Sequence, residues 1–170
     1  AEAKRIEIES GASLTMNAPI SDNDTDLYIT GDLLNDGAFI MTSSNDTVIL
    51  KGSWFQGITG SFTAGAGTVI LSPVSGTTNL DISSPFYNLV VEAVTTTTLA
   101  SDITVDNDFV INTGTVDLGN SGYILEVGGD FINNGVLDPN NNSSVELTST
   151  GATQTLKPGT GSFSTLEISG

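Results

Sequence analysis

The sequence predicts an all-β solenoid, in which short strands wind into stacked coils. The first observation behind this fold class is a recurring phrase, in which a small or acidic pair precedes apolar residues, a Gly or Asn turn and a second apolar run. Its copies are GDLLNDGAF from Gly31, GSWFQGITGSF from Gly52, DNDFVINTGTVDL from Asp106 and GDFINNGVL from Gly129. The step of 21 residues from Gly31 to Gly52 is typical of solenoid repeats.

Two further observations favour strands over helices. Apolar residues alternate with polar ones in many short runs, which is typical of strands with one buried face. Examples are Ile6 and Ile8, Val69 and Leu71, and Val145 and Leu147. Gly, Asn, Asp or Pro interrupts these runs every 5 to 10 residues, as turns between strands require. No stretch of 10 residues shows the three-and-four apolar spacing of a helix.

The coils are predicted to follow one another in a single domain, residues 1–170. Separate coils are expected at 31–51, 52–73, 106–127, 128–149 and 150–170. Residues 74–105 would hold about one and a half coils, and the first 30 residues another one to one and a half. At roughly 21 residues per coil the chain makes about eight coils, and stacking at about 4.8 Å per coil gives a rod roughly 40 Å long.

A longer repeat overlies the short one. The segment SPFYNLVVEA around Phe86 matches GSFSTLEISG around Phe163, at an offset of 77 residues. Near the N-terminus, the letters IEI at 6–8 align with LEI at 166–168. This alignment predicts that the last coil ends in the phase from which the first coil continues.

Composition limits the partners of the chain. It carries 20 acidic and 4 basic side chains, for a formal net charge of −16. Nucleic acid and anionic membrane surfaces are bound through basic patches, so neither is expected as a partner. Hydrophobic residues form 38% of the chain, which favours a buried core over disorder. No apolar run approaches the roughly 18 residues of a membrane-spanning helix.

The sequence also argues against catalysis. There is no cysteine and no histidine, which excludes thiolate chemistry, disulfides and histidine acid–base catalysis. The basic residues are Lys4, Arg5, Lys51 and Lys157, and no long insertion is present to wall a substrate cleft. We therefore predict that the protein is not an enzyme.

The repeated phrases resemble the β-helical repeats of bacterial surface proteins, adhesins and autotransporter-like passengers. In those repeats, G-D-aromatic-x-N-x-G precedes G-T-V-x-L and then F-x-N-L-x-V; here these read GDFINNG, GAGTVIL and FYNLVVE. The resemblance covers nearly the whole chain and implies a right-handed parallel β-helix with an extracellular or cell-surface structural role. It implies no catalytic residues. An N-terminus that reads AEAKR would suit a mature exported chain.

The strongest metal candidate is the run DNDTD, which contains Asp22, Asp24 and Asp26. Oxygen ligands at alternate positions suit Ca²⁺, a hard cation. Asp106 and Asp108 occupy the corresponding place about 82 residues later, or four coils. The run lacks the Gly and Glu of an EF-hand loop, and a polar turn with solvated acids is the favoured alternative. No other cofactor is expected.

Aromatic residues are expected to fill the core. Trp54, Phe55 and Phe62 share one predicted coil, and aromatic residues recur at matching positions of the repeat. Burial is the default for such residues. If they were exposed instead, they would form a platform for sugar rings, so surface glycans are a second class of partner to consider.

Three functions fit the sequence. The favoured one is a structural building block that self-assembles head to tail into a surface filament or matrix, because solenoids normally cap their ends and no helical cap is evident. The residues predicted at that joint are Lys4, Arg5, Ile6, Ile8, Leu166, Glu167 and Ile168. The alternatives are a module of a long adhesin or stalk, and a β-helix that binds or degrades carbohydrate.

Overall fold

The computed structural model describes residues 2–16, 25–140, 142–149 and 153–169. They form strands and turns without a helix. The strands are β1 (Glu2–Ala3), β2 (Ile6–Ile8), β3 (Ser13–Met16), β4 (Thr25–Ile29), β5 (Leu33–Asn35), β6 (Ala38–Met41), β7 (Asp46–Leu50), β8 (Trp54–Gln56), β9 (Ser61–Thr63), β10 (Thr68–Leu71), β11 (Thr77–Asp81), β12 (Asn88–Leu99), β13 (Ile103–Val105), β14 (Phe109–Asp117), β15 (Ile124–Val127), β16 (Phe131–Asn133), β17 (Val136–Asp138), β18 (Ser144–Leu147), β19 (Leu156–Lys157), β20 (Thr160–Gly161) and β21 (Thr165–Ile168).

Each coil contributes to three faces, and the strand pairs on every face are parallel. The first face stacks β1, β4, β7, β10, the first part of β12, the first part of β14, β16 and β19. The second face stacks β2, β5, β8, β11, the later parts of β12 and β14, β17 and β20. The third face stacks β3, β6 and β9, and then β13, β15, β18 and β21. An isolated bridge between Phe86 and Val105 lies between these two groups.

The predicted fold class is therefore confirmed as a parallel β-solenoid of about 7 turns. The first face stacks eight strands, one from each coil, with seven steps between them, which agrees with the prediction of about eight coils. Coil length nevertheless varies at the corners. Thr78 contacts Thr97 on the next coil 19 residues later, Ser53 contacts Asp32 at 21 residues, and Thr30 contacts Ala3 at 27 residues. The repeat of roughly 21 residues is therefore an average over coils of unequal length.

Copies of the recurring phrase do not all lie on the same face. In GDLLNDG and GSWFQG, Leu33 pairs with Trp54 on the second face. In DNDFVIN and GDFINNG, Phe109 pairs with Phe131 on the first face. The phrase describes one strand, a corner and the next strand, so it can occur at any corner of the coil.

The end alignment predicted from sequence is wrong for the same reason. Residues 6–8 form β2 on the second face, whereas residues 166–168 belong to β21 on the third face. Alternation of apolar residues is common to both strands, and it carries no information about the face. The described strands nevertheless begin on the first face with β1 and finish on the third face with β21, so the winding order itself is continuous.

Glycine at the corners permits coils to approach closely. A side chain at Gly52 would overlap the carbonyl group of Gly31 on the preceding coil, and one at Gly31 would overlap the carbonyl of Lys4. Gly is therefore required here by backbone contact between coils. This explains why the phrase opens with Gly at these two corners.

The core is a set of inward columns that run along the solenoid. Trp54 is fully buried, and its ring lies 4.9 Å from that of Phe62 and 5.6 Å from that of Phe86, measured between centroids. A second group stacks Phe109 on Phe131 at 5.5 Å. The expectation that aromatics fill the core is confirmed for these residues, whereas Phe55 points outward and is 37% exposed.

Two neighbours on β8 provide a matched test of this core. Trp54→Ala is expected to lower the free energy of unfolding by about 3–5 kcal/mol, because it removes a fully buried side chain and leaves a cavity. Phe55→Ala is expected to cost about 1 kcal/mol or less, because that side chain is partly solvated. Denaturation in urea with circular dichroism measures both, and equal losses would contradict the assigned orientation of β8.

Candidate functional site: acidic corners and an open end coil

Aspartates at the corners bind the backbone of the following coil. Asp32 Oδ1 accepts a hydrogen bond from Ser53 N at 2.8 Å, and Asp108 Oδ1 accepts one from Asp130 N at 2.8 Å. Asp130 in turn accepts from Thr155 N at 2.7 Å. Such charge-assisted bonds satisfy backbone donors where the strand ladder stops. The acidic composition thus has a structural role at these corners.

Asp46 is a buried acid that sequence reasoning did not single out. Its side chain is fully buried, and Oδ2 accepts hydrogen bonds from Thr42 N at 2.7 Å and from Ser43 N at 2.9 Å. Its Oδ1 atom has no hydrogen-bond partner among the described residues. The motif S-S-N-D before a strand is the available signal, because Asp commonly accepts backbone bonds in such turns. Asp46 therefore closes the turn that leads into β7.

The residues predicted to bind Ca²⁺ are not all brought together. Asp22 and Asp24 lie outside the described residues. Asp26 and Asp108 lie in one outward column of the first face, four coils apart, which corresponds to about 19 Å. One ion cannot contact carboxylates at that separation, and Asp108 already accepts from the backbone of the next coil.

Asp106 lies in the turn before β14, and its backbone N–H donates to Phe86 O at 2.8 Å. Within the described ranges, no three acidic, cysteine or histidine side chains form a group that could hold a metal ion. Calcium binding by the aspartates stays a prediction.

Three glutamates stack on the outer side of the third face. Glu126 pairs in register with Glu146, which pairs in register with Glu167. Like charges on directly opposed residues of neighbouring strands are destabilising. Beside this column lies a polar cavity of about 290 Å³, and Thr104, Asp106 and Glu126 contribute to its lining. The arrangement concentrates negative charge on one side of the rod.

The last coil leaves part of the core open. Val105, Val127 and Leu147 are buried members of one inward column, and Ile168 continues that column in register. Ile168 is nevertheless 74% exposed, because no further described strand covers it. Leu166 continues the neighbouring inward column and is half-buried. The end coil therefore exposes apolar side chains at positions that are buried in the preceding coils of this face.

The other predicted joint residues lie at the opposite end of the rod. Ile8 is buried and Ile6 half-buried in the first coil. Lys4 is exposed beside them, and Arg5 forms an ion pair with Glu7 at 3.2 Å on the surface. Lys4 and Arg5 lie between β1 and β2, at the corner of the first and second faces, whereas Glu167 lies on the third face.

The exposed aromatics do not form one platform. Tyr28 is 40% exposed on the first face, where its hydroxyl donates to Asp26 Oδ2 at 3.3 Å. Phe55 is on the second face. Since these two rings point in different directions, they cannot both stack on one sugar chain lying along a face.

No protein-family model, curated protein or solved structure matches the chain. The part of the chain that the structure describes contains no helix long and apolar enough to cross a bilayer. The stacked parallel strands themselves define the class of the protein, which is a parallel β-solenoid.

The glutamate column gives a test of surface electrostatics. Glu146→Gln is expected to raise the free energy of unfolding by roughly 0.2–1 kcal/mol, because it removes the central one of three like charges. The gain should shrink in 1 M salt, where charges more than about 3 Å apart are screened. Glu9→Gln, in a turn away from the column, is the control. A gain at Glu9 as large as that at Glu146 would contradict repulsion within the column.

Substitutions of Asp108 test whether its side chain acts as a hydrogen-bond acceptor or through its negative charge, including metal binding. Asp108→Ala leaves Asp130 N without its acceptor and is expected to cost about 1–3 kcal/mol of stability. Asp108→Asn retains an oxygen acceptor and is expected to cost clearly less. Thermal unfolding of both variants, with and without added Ca²⁺, makes the comparison. If Asn is as damaging as Ala, or if Ca²⁺ stabilises the wild type alone, the carboxylate charge is what matters.

Proposed function

We propose that the chain is a non-catalytic, extracellular structural protein whose coils continue into those of a second copy, head to tail. The observation that carries the proposal is the interrupted core column at Ile168, which is 74% exposed although its register partner Leu147 is buried. An uncovered strand edge with apolar side chains is a template for further strand pairing. Contacts of this heterologous kind produce filaments when they do not close.

The register of the faces supports such a joint. A second copy stacked beneath the last coil brings its β1, β2 and β3 under β19, β20 and β21. Because Lys157 ends the outer column of the first face and Glu2 begins it, the joint places opposite charges together. Lys4 and Arg5, which the sequence predicts at the joint, are not the residues that form this charge pair.

The same open coil also suits a module of a long surface stalk, in which further coils of one polypeptide cover it. The two arrangements share their chemistry, because in both a parallel coil covers Leu166 and Ile168. They differ in whether purified chains associate. A glycan-binding role has less support, since the exposed aromatic rings of Tyr28 and Phe55 lie on separate faces.

Ile168→Lys is the direct test. Wild-type chains should show an average mass that rises with concentration in sedimentation velocity, with elongated particles in negative-stain electron microscopy. Ile168→Lys should reduce this association at least about tenfold, because it places a charge in the core of the joint. Val94→Lys is a matched control, since Val94 is 77% exposed at a corner in the middle of the rod.

Wild-type chains that stay monomeric at millimolar concentration would contradict head-to-tail assembly. An unchanged association of Ile168→Lys, or an equal loss in Val94→Lys, would place the contact elsewhere on the rod. Circular dichroism spectra of the variants confirm that each retains its fold.

A further inference from the structure

The first face carries an apolar column on its outer side. Each member lies between two core residues of its strand, as Ile49 lies between the buried Val48 and Leu50. Register pairs join the members into one continuous row. The outer apolar column consists of Tyr28, Ile49, Ile70, Val90, Val110 and Ile132. Tyr28 is 40% exposed and the others are partly exposed.

The column is long and continuous. Its six members span about 24 Å at the usual separation of paired strands. Solvent-facing positions of a sheet that faces water are usually polar, and a contiguous apolar patch marks an interaction site. The third face shows the usual pattern, with Glu126, Glu146 and Glu167 on its outer side. The first face differs from the third because it exposes apolar area, which a surface that contacts a partner needs.

Opposite charges end the outer apolar column. Glu2 pairs in register with Tyr28 at one end, and Lys157 pairs with Ile132 at the other. Lys157 Nζ also donates to Asn134 beside it. The first face is therefore acidic at one end of its central row, apolar along the middle and basic at the other end.

We propose that a second copy of the chain packs antiparallel against the outer apolar column. A two-fold axis that runs along the strands, between β10 and β12, sets Ile70 of each copy against Val90 of the other. The same axis sets Glu2 of each copy against Lys157 of the other. A parallel arrangement would instead oppose Glu2 to Glu2 and Lys157 to Lys157, so the end charges select the antiparallel one.

The shape of the face suits this arrangement. Near one end lies a cavity of about 320 Å³, and Glu2, Tyr28, Ile49 and Lys51 contribute to its lining. In the antiparallel dimer, the row that ends in Ile132 and Lys157 of the second copy lies over this cavity. An isologous contact of this kind closes as a dimer, so it is separate from the head-to-tail joint.

The contact area is that of a weak dimer. The eight strands of the first face contain two to five residues each, or roughly 12 Å on average, and they stack at about 4.8 Å. They give about 400 Å² on each copy, or about 800 Å² in total, which is below the roughly 1,000 Å² of a stable interface and typical of a weak, reversible contact. Against this contact acts the repulsion between two chains of net charge −16. Because salt screens that repulsion and leaves apolar contact intact, the dimer should strengthen as ionic strength rises.

Two substitutions on β12 test the interface in the background of Ile168→Lys, which is expected to weaken head-to-tail pairing. Val90→Lys alters the outer side of the first face at the two-fold axis, and Thr96→Lys alters the outer side of the second face. The background chain should pass from 17.5 kDa to twice that mass in sedimentation equilibrium, more readily at about 0.5 M than at about 0.05 M NaCl. Val90→Lys should weaken dimerisation at least about tenfold, and Thr96→Lys should leave it unchanged.

Cross-linking tests the orientation, because the chain contains no native cysteine. In the antiparallel dimer Ile49 of one copy faces Val110 of the other. A mixture of Ile49→Cys and Val110→Cys chains should therefore yield a heterodimer with a short bismaleimide. Ile49→Cys alone should not react, since its two copies lie about three coils, or roughly 14 Å, apart.

Several results would overturn the proposal. A chain that stays monomeric at every salt concentration, or a dimer that Val90→Lys and Thr96→Lys affect equally, is incompatible with it. Cross-linking of Ile49→Cys with itself would show the parallel arrangement instead. If Val90→Lys proves unfolded by circular dichroism, the cross-linking pattern of the two cysteine variants decides the question. Loss of head-to-tail assembly alone leaves the lateral dimer intact, so the two contacts fail separately.

Discussion

Hydrogen bonds between parallel strands of successive coils hold each residue about 4.8 Å from its register partners. This constraint governs the rest of the molecule, because the nearest neighbours of each side chain are the side chains at the equivalent positions of the adjacent coils. Aromatic rings therefore stack on aromatic rings, as Phe109 does on Phe131. Corners that bring backbones together require Gly, as Gly52 over Gly31 shows.

The same constraint gives several of the acidic side chains a structural role. Where a strand ladder stops at a corner, a backbone N–H of the next coil still needs an acceptor. Asp32, Asp108 and Asp130 each supply one. Stacking also produces unfavourable neighbours, such as Glu126 beside Glu146, since nothing in the register separates like charges. Interactions between adjacent coils thus account for both stabilising and destabilising contributions in a solenoid.

A stack of coils has two consequences for contacts with other molecules. Its end exposes the inward columns, which is why Ile168 is open to solvent although its register partner Leu147 on the preceding coil is buried. On its sides, the same type of residue recurs at one position of successive coils. Side chains that are apolar at that position therefore form a continuous row along the rod. The outer apolar column of the first face is such a row. End contacts, which involve Ile168, extend the stack, whereas side contacts, which involve the outer apolar column, join two stacks.

The sequence by itself determined the class of fold. Alternation in runs such as Val69 to Leu71 and Val145 to Leu147 specifies strands with one buried side, and the recurring Gly and Asp mark the corners. The sequence did not determine the face to which each strand belongs, because that depends on the added length of all preceding corners. It therefore aligned residues 6–8 with 166–168 across two different faces. The acceptor role of Asp108 and the outer apolar column depend on contacts between residues roughly one coil apart in the chain. Only the tertiary structure decided these, since the register between coils is set by packing and not by local pattern.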